Sequence, residues 1–552
     1  MALLLAWPLA RFVSIGTAWL DYPFPRHRTE GLTLYESQMF KRGENVYAPI
    51  TPDRFISGPH PPLHYWLTSA TLPNELPDLT DPDNVPSIFT SGRLVSLLAA
   101  LVTAALIPLF VVAEHGHHLS GRRRRSLWYA AFGGILGGML FLYAPPVLVW
   151  ATQIGGELPS LALTLGGLVC VVAGAPVLRE QGAGDQASEG DSPSSDRHQI
   201  QDAVGKGSGA SRFGTYLLLL LGAVLFGLAF FTTLSFAGPL AAAAYLLVRN
   251  WKVGLAWSAV MAGLVAVPFV ILDSATDQWF YRHMFAYHPR MNRAGLLDML
   301  GASWEDHWPL ILLAGVYIFY VVAQLRAHRG HGSTRVVPPL ALLFLAATLL
   351  TLPLGASLGA DHNRLLLPLL AICVSVGVLL ASLLTRLSGE GAAPRLPRWT
   401  LPIVVGLLVI YAVVTSWPSS WYNRDLAHLS PNQMNQMRQI VLNLKLDPGN
   451  TYLSNDPGLL ALAGKETPYN DLRSMTAMAL RGRWDEAAYR DSLTQGKFSL
   501  LVLSCDAGTA SSDPSNPQSD CPSDSFTPGV LDAIRRGYKV LFWDIFSTYV
   551  PK

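Results

Sequence analysis

The sequence predicts a mainly α protein: a polytopic transmembrane helical bundle of about eleven spans, with a long first extracytoplasmic loop and a small C-terminal extracytoplasmic α/β domain. Three observations lead there. Half of the 552 residues are hydrophobic and only 14% are charged, against roughly a quarter charged in soluble domains. Apolar runs of spanning length recur up to residue 417. Beyond 418 the composition turns soluble, and short alternating runs such as Phe498 to Leu503 and Lys539 to Trp543 read as strands between helical stretches. The net charge of +2 is too small to argue for a nucleic-acid partner.

A bilayer crossing needs roughly 20 apolar residues. The runs lie near 1–20, 92–113, 127–149, 158–178, 213–231, 236–249, 253–272, 308–325, 336–355, 363–385 and 399–417. The first has no basic leader and no small-residue cleavage site before Asp21, so it reads as an anchor rather than a signal peptide. Lysine and arginine collect in short cytoplasmic loops. Arg122 to Arg125, Arg249 with Lys252, Arg326 with Arg329 and Arg335, and Arg386 with Arg395 and Arg398 fall in alternate loops. That pattern predicts a cytoplasmic N-terminus, with loop 21–91 and the tail from 418 outside, as expected for an integral protein of the cell membrane. Residues 1–417 form the expected membrane domain and 418–552 the soluble one. The Gly/Ser/Asp/Gln-rich stretch 180–211 reads as a flexible cytoplasmic linker.

The first loop is far longer than a connection requires, and long ordered loops on a rigid scaffold are where sites are built. It carries Glu30, Glu36, Glu44, His27, His60, His64, Tyr35, Tyr47 and Tyr65. Thr29 to Met39 has helical periodicity, with Leu32, Tyr35 and Met39 on one face and Glu30 in the first turn, where a carboxylate opposes the helix dipole. Glu30 is read either as a helix-capping or solvated charge, or as a general base. His60 and His64 are four apart, but Pro61-Pro62 between them argues against a shared helix face, and no acid cluster completes a ligand set. A divalent metal is therefore not the favoured reading, and no cofactor is implied. Arg93 and Arg364 stand at outer span ends against the charge rule, so each needs a partner. Asp361 or Glu157 could serve, or an anionic headgroup, since a guanidinium bridges two phosphate oxygens. Cys170 and Cys373 lie in apolar spans, whereas Cys505 and Cys521 flank a polar loop and could pair in an oxidising compartment.

These residues resemble the polytopic GT-C glycosyltransferases, in the branch of dolichyl-phosphate-mannose protein mannosyltransferases and bacterial aminoarabinose and Rgt-type lipopolysaccharide sugar transferases. Glu30, Gly43 with Tyr47, and His60-Pro61-Pro62-Leu63-His64-Tyr65 look like three landmarks of the first loop; Gly92-Arg93-Leu94, Glu157-Leu158 and Asn363-Arg364-Leu365 look like later ones. The resemblance covers roughly 1–385. Two positions depart from it: Thr29 stands where many members carry a first acid, and Thr232-Thr233-Leu234-Ser235 lacks a lysine found at that turn. The resemblance implies inverting transfer of a sugar from a polyprenyl-phosphate donor to a hydroxyl of a lipid, glycan or protein acceptor outside the membrane. It implies Glu30 as base, Arg364 and Arg93 on the donor phosphate, and His60, Tyr65, Asn363 and Glu157 as substrate contacts. A transporter or lipid flippase is the first rival reading. The second is a non-catalytic scaffold in which Glu30 merely pairs with Arg28 or Arg93.

Overall fold

The computed structural model describes residues 2–73, 88–116, 123–175, 197–287, 293–329, 337–355, 362–388, 400–416, 430–449, 451–507, 521, 525–542 and 546–552. Each predicted span has a helical counterpart. They are α1 (Ala2–Leu20), α4 (Thr90–Gly116), α5 (Arg123–Tyr143), α7 (Glu157–Gly174), α8 (Arg197–Thr233), α9 (Ala237–Arg249), α10 (Trp251–Ala275), α11 (Arg293–Arg329), α12 (Leu340–Gly355), α13 (Leu366–Leu387) and α14 (Thr400–Ser416). Among the described residues, seven stretches are long and apolar enough to cross a membrane, and Ala237–Arg249, Leu340–Pro353 and Thr400–Thr415 are shorter apolar helices.

Two expectations change in detail. The run 127–149 is broken: α5 stops at Tyr143, and Pro145-Pro146 occupy the first positions of a separate helix, α6 (Pro145–Ala151), because proline has no N–H with which to continue a helix but suits a first turn. Of the expected linker 180–211, residues up to 196 lie outside the described ones, and 197–211 run helically into the span of α8.

The bundle closes around α13, 83% of whose span is buried, while only 11% of the α10 span is. Close approach at the centre depends on Gly133-Gly134 and Gly137-Gly138 of α5. A Cβ on Gly137 would stand 2.7 Å from the Cys373 carbonyl of α13, and one on Gly138 2.5 Å from the Ala104 carbonyl of α4. Small residues at helix crossings let backbones meet where lipid supplies no hydrophobic drive between helices.

The first loop is itself folded. The predicted helix over 29–39 is α2 (Arg28–Lys41), capped by the His27 side chain, with Leu32, Tyr35 and Met39 all buried. Pro61-Pro62 open α3 (Pro62–Thr71), which places His60 ahead of the helix and His64 within it.

The C-terminal part contains α15 (Pro431–Leu446), β1 (Tyr452–Ser454), α16 (Pro457–Ala463), α17 (Leu472–Ala479), α18 (Ala487–Thr494), β2 (Leu500–Leu503), α19 (Pro528–Gly537), β3 (Tyr538–Phe542) and β4 (Ser547–Pro551). The sheet order is β1-β2-β4-β3, with β1 and β2 parallel and the other pairs antiparallel. Cys505 and Cys521 are joined in a disulfide. This part is not a separate globule. One apolar cluster combines Phe24, Leu34, Tyr47 and Tyr65 of the first loop with Ile440, Tyr452, Leu459 and Leu460. Phe55 also pairs with the 468–470 backbone as an isolated parallel bridge.

Gly31 of α2 lies against Gly458 and the buried Asp456 carboxyl, which caps α16 through the Gly458 N–H. Burial pushes the Asp456 carboxyl up to about 7, with the Gly458 hydrogen bond and Arg28 opposing and Glu30 adding to the rise.

Two outcomes follow from this packing. Gly138→Val forces α4 and α5 apart, and we expect it to lower stability by about 1–3 kcal/mol, read as a reduced melting temperature in detergent. Because the folded Asp456 holds its proton to a higher pH than the unfolded chain, its contribution to stability is present in acid and is lost as pH rises through about 7. Asp456→Asn should therefore flatten the fall in melting temperature between pH 5 and 8.

Candidate functional site

Where the C-terminal end of α1 meets the N-terminal ends of α4 and α7, the chain encloses a full ion pair. Glu30 and Arg93 are both 0% exposed. Glu30 Oε1 accepts from Arg93 Nε at 2.8 Å and the Ile154 amide at 2.9 Å; Oε2 accepts from Arg93 Nη2 at 2.9 Å and the Arg26 amide at 2.8 Å. A carboxylate has about four acceptor directions, and here all four are used. Arg93 is equally committed: Nη1 donates to the Trp19 and Tyr22 carbonyls at 3.0 and 2.5 Å, and Nη2 also donates to Phe24 O at 2.7 Å. Five donors meet five acceptors. In this geometry the four acceptor directions of Glu30 and the five donors of Arg93, the expected base and phosphate ligand, are engaged with each other and with backbone.

A second, more accessible cluster lies at the starts of α7 and α13. Glu157 begins α7, where the helix N-terminus favours an anion, and is partly exposed. Its Oε1 accepts from Asn363 Nδ2 at 2.9 Å, while Asn363 Oδ1 has no partner. Arg364, next in the short 3₁₀ turn before α13, is exposed. Asp361, one partner expected for it, lies outside the described residues. The His60 ring stacks on His64 with centroids 4.2 Å apart. Burial lowers the His60 imidazole below its usual range; Glu157 opposes the shift, and Arg364 adds to it. His60 is thus neutral near pH 7 and able to give or take one hydrogen bond at each nitrogen.

The sequence reading passed over Gly155, Gly156 and the role of His64. A Cβ on Gly155 would run into Glu157 Oε2, and one on Gly156 into His64 Nδ1, so these glycines let the two side chains fold over the turn. His64 is buried, has no hydrogen-bond partner at either nitrogen and lines a cavity of about 10 Å³ with Thr68, Thr71, Ile154 and the two glycines, enough for one water. The lone signal was the pairing of Gly-Gly with an acid at a helix start.

Tyr65, expected at the substrate, is fully buried and faces inward. Its hydroxyl donates to Glu36 Oε2 at 2.8 Å and accepts from the His60 amide at 3.2 Å. His283 is a further unpredicted contributor. It sits in a π-helical turn, Arg282–Ala286, bonded to the Gly58 amide at 3.1 Å and the Ala48 carbonyl at 3.0 Å, and so ties down the segment that leads to His60. Among the described residues no group of three or more His, Cys, Asp or Glu could hold a metal ion.

No protein-family model matches the sequence, and no curated protein matches it. Solved structures do match in fold. ArnT from Cupriavidus metallidurans bound to undecaprenyl phosphate superposes with a TM-score of 0.52 at 15% identity, covering 99% of this chain and 97% of that one. The same enzyme in its apo state gives 0.51 with the same identity and coverage. Over nearly its whole length, this chain therefore has the fold of ArnT.

Proposed function

We propose that the protein transfers a sugar from a polyprenyl-phosphate donor to an acceptor hydroxyl on the extracytoplasmic side of the membrane, with inversion at the anomeric carbon. The observation that carries this reading is the juxtaposition of an accessible carboxylate, Glu157, with an exposed guanidinium, Arg364, and the neutral His60 at one outer membrane level. It occurs in a fold shared with an enzyme captured on undecaprenyl phosphate. The arginine placement supports a cytoplasmic N-terminus, and the Cys505–Cys521 disulfide supports a C-terminal part facing an oxidising compartment.

In this mechanism the acceptor oxygen attacks the anomeric carbon from the face opposite the phosphate. Glu157 takes the hydroxyl proton as the new C–O bond forms. The bond from carbon to phosphate oxygen breaks with its electron pair going to the phosphate, whose added charge Arg364 stabilises. Asn363 fixes the Glu157 carboxylate through Oε1 and leaves Oε2 for the acceptor. His60 and the buried, unpartnered Asn363 carbonyl are the hydrogen-bonding groups for the sugar. Glu30 and Arg93 act by holding the turn at Ile154, two residues ahead of Gly156.

The test is sugar transfer in membranes, using a panel of radiolabelled polyprenyl-phosphate sugars with wild type, Glu157→Gln, Arg364→Ala and Glu30→Gln. Glu157→Gln should fold normally and lose about 10²- to 10⁴-fold in kcat. Arg364→Ala should mainly weaken donor use. Glu30→Gln and Arg93→Ala should instead lower stability, the latter by about 3–5 kcal/mol because it strands a buried charge. A folded but inactive Glu30→Gln beside a fully active Glu157→Gln would return the base role to Glu30. Consumption of no donor by wild type would refute the transferase reading.

A further inference from the structure

We propose that the 467–471 corner of the C-terminal domain is a positioning element of the transfer site, acting through Glu36 and Tyr65 on the backbone of His60; the inference rests on the glycosyl-transfer reading above. The chain of contacts is continuous. Asn470 Nδ2 donates to Glu36 Oε1 at 2.9 Å and to the Ser57 carbonyl at 3.2 Å, while its Oδ1 accepts from the Ser57 amide at 2.8 Å. Glu36 then receives the Tyr65 hydroxyl, which in turn receives the His60 N–H. Tyr47 closes the loop by donating to the His60 carbonyl at 2.8 Å. Both backbone groups of His60 are therefore fixed by tyrosines, and one of those tyrosines is fixed by an acid that the C-terminal domain holds.

Glu36 is 0% exposed, and among the described residues no cation pairs with it. The groups that face it are Tyr65 and Tyr47, the His60 amide through Tyr65, and Asp471, whose Oδ2 shares the Ser57 hydroxyl with Glu36 and whose Oδ1 pairs with Arg28 at 2.7 Å. Arg28 is thus spent on Asp471. Burial raises the Glu36 carboxyl well above its usual range, and the Asp471 charge adds to this. A proton held on Glu36 avoids a second negative charge beside Asp471, and losing that proton as pH rises adds the charge. A site that depends on this network loses alignment as pH rises, in the direction opposite to a general base that must be deprotonated.

A double-mutant cycle decides the matter, combining Tyr65→Phe with Asn470→Ala in an Asp456→Asn background, which removes the separate pH dependence that Asp456 gives the melting temperature. Tyr65→Phe should keep its packing and bind donor with KM within about 2-fold of the parent, while kcat falls about 10- to 100-fold, the scale of a small misalignment. The double variant should be scarcely worse than the poorer single, since both cut one chain of contacts. Glu36→Gln should remove the alkaline fall in both kcat and melting temperature, and Glu36→Ala should be less active than Glu36→Gln. Full kcat in Tyr65→Phe, or independent effects in the cycle, would overturn the inference. The melting-temperature arm needs no substrate. If wild type transfers no sugar, the catalytic reading fails by itself, while additive stability losses or an unchanged pH dependence in Glu36→Gln would separately overturn the coupling.

Discussion

The structure where α1, α4 and α7 meet depends on the closed pair of Glu30 and Arg93. Taking two charges out of water costs several kcal/mol per ion, recovered only if the geometry is good and the remaining donors and acceptors are satisfied. Here they are. The arginine gathers the carbonyls of Trp19, Tyr22 and Phe24, where α1 gives way to the loop, and the glutamate gathers the amides of Arg26 and Ile154. One interaction thus fixes the exit of the first span, the start of the second and the turn ahead of α7. Without it, the backbone groups at these three ends would face a low-dielectric region with no partner, the arrangement a membrane protein can least tolerate.

That lock determines where Glu157 stands. Ile154 is held by Glu30, and the two glycines that follow carry the chain tightly under His64 before Glu157 opens α7. On the other side, the extended Gly58-to-Pro61 segment is held by His283, Tyr47 and Tyr65, so that His60 arrives from a different direction. The 3₁₀ turn before α13 delivers Asn363 and Arg364 from the most deeply buried helix of the bundle. Three independent supports converge on one small region. Rigid supports of this kind are what allow a few side chains to be placed within the tolerance that group transfer demands.

Much of this could be read from the sequence, in proportion to how local the governing physics is. The spans were legible because a bilayer imposes length and apolarity on each segment separately. The helix over 29–39 and the proline-led start of α3 were legible because capping and proline chemistry act over a few residues. The complete burial of the Glu30–Arg93 pair was not, although the pairing itself was among the alternatives. Whether an acid is a base or a brace depends on how many of its lone pairs are taken, and half of those taken here belong to backbone amides of Arg26 and Ile154 that no side-chain pattern announces. The setting of Tyr65 is likewise non-local: its partner Glu36 is 29 residues away in sequence and is held by Asn470, a further 434 away.

The difference between the two acids illustrates a general constraint on sites at a membrane surface. A base must have an accessible lone pair and a modest energetic cost for changing its charge. The Glu30 carboxylate has its acceptor directions filled by Arg93 and by the amides of Arg26 and Ile154, whereas Glu157 is partly exposed at the start of α7 with one oxygen held by Asn363. The scaffold thus separates these two acids by burial: the enclosed one holds the backbone in place, and the other stands accessible at the edge of the bundle.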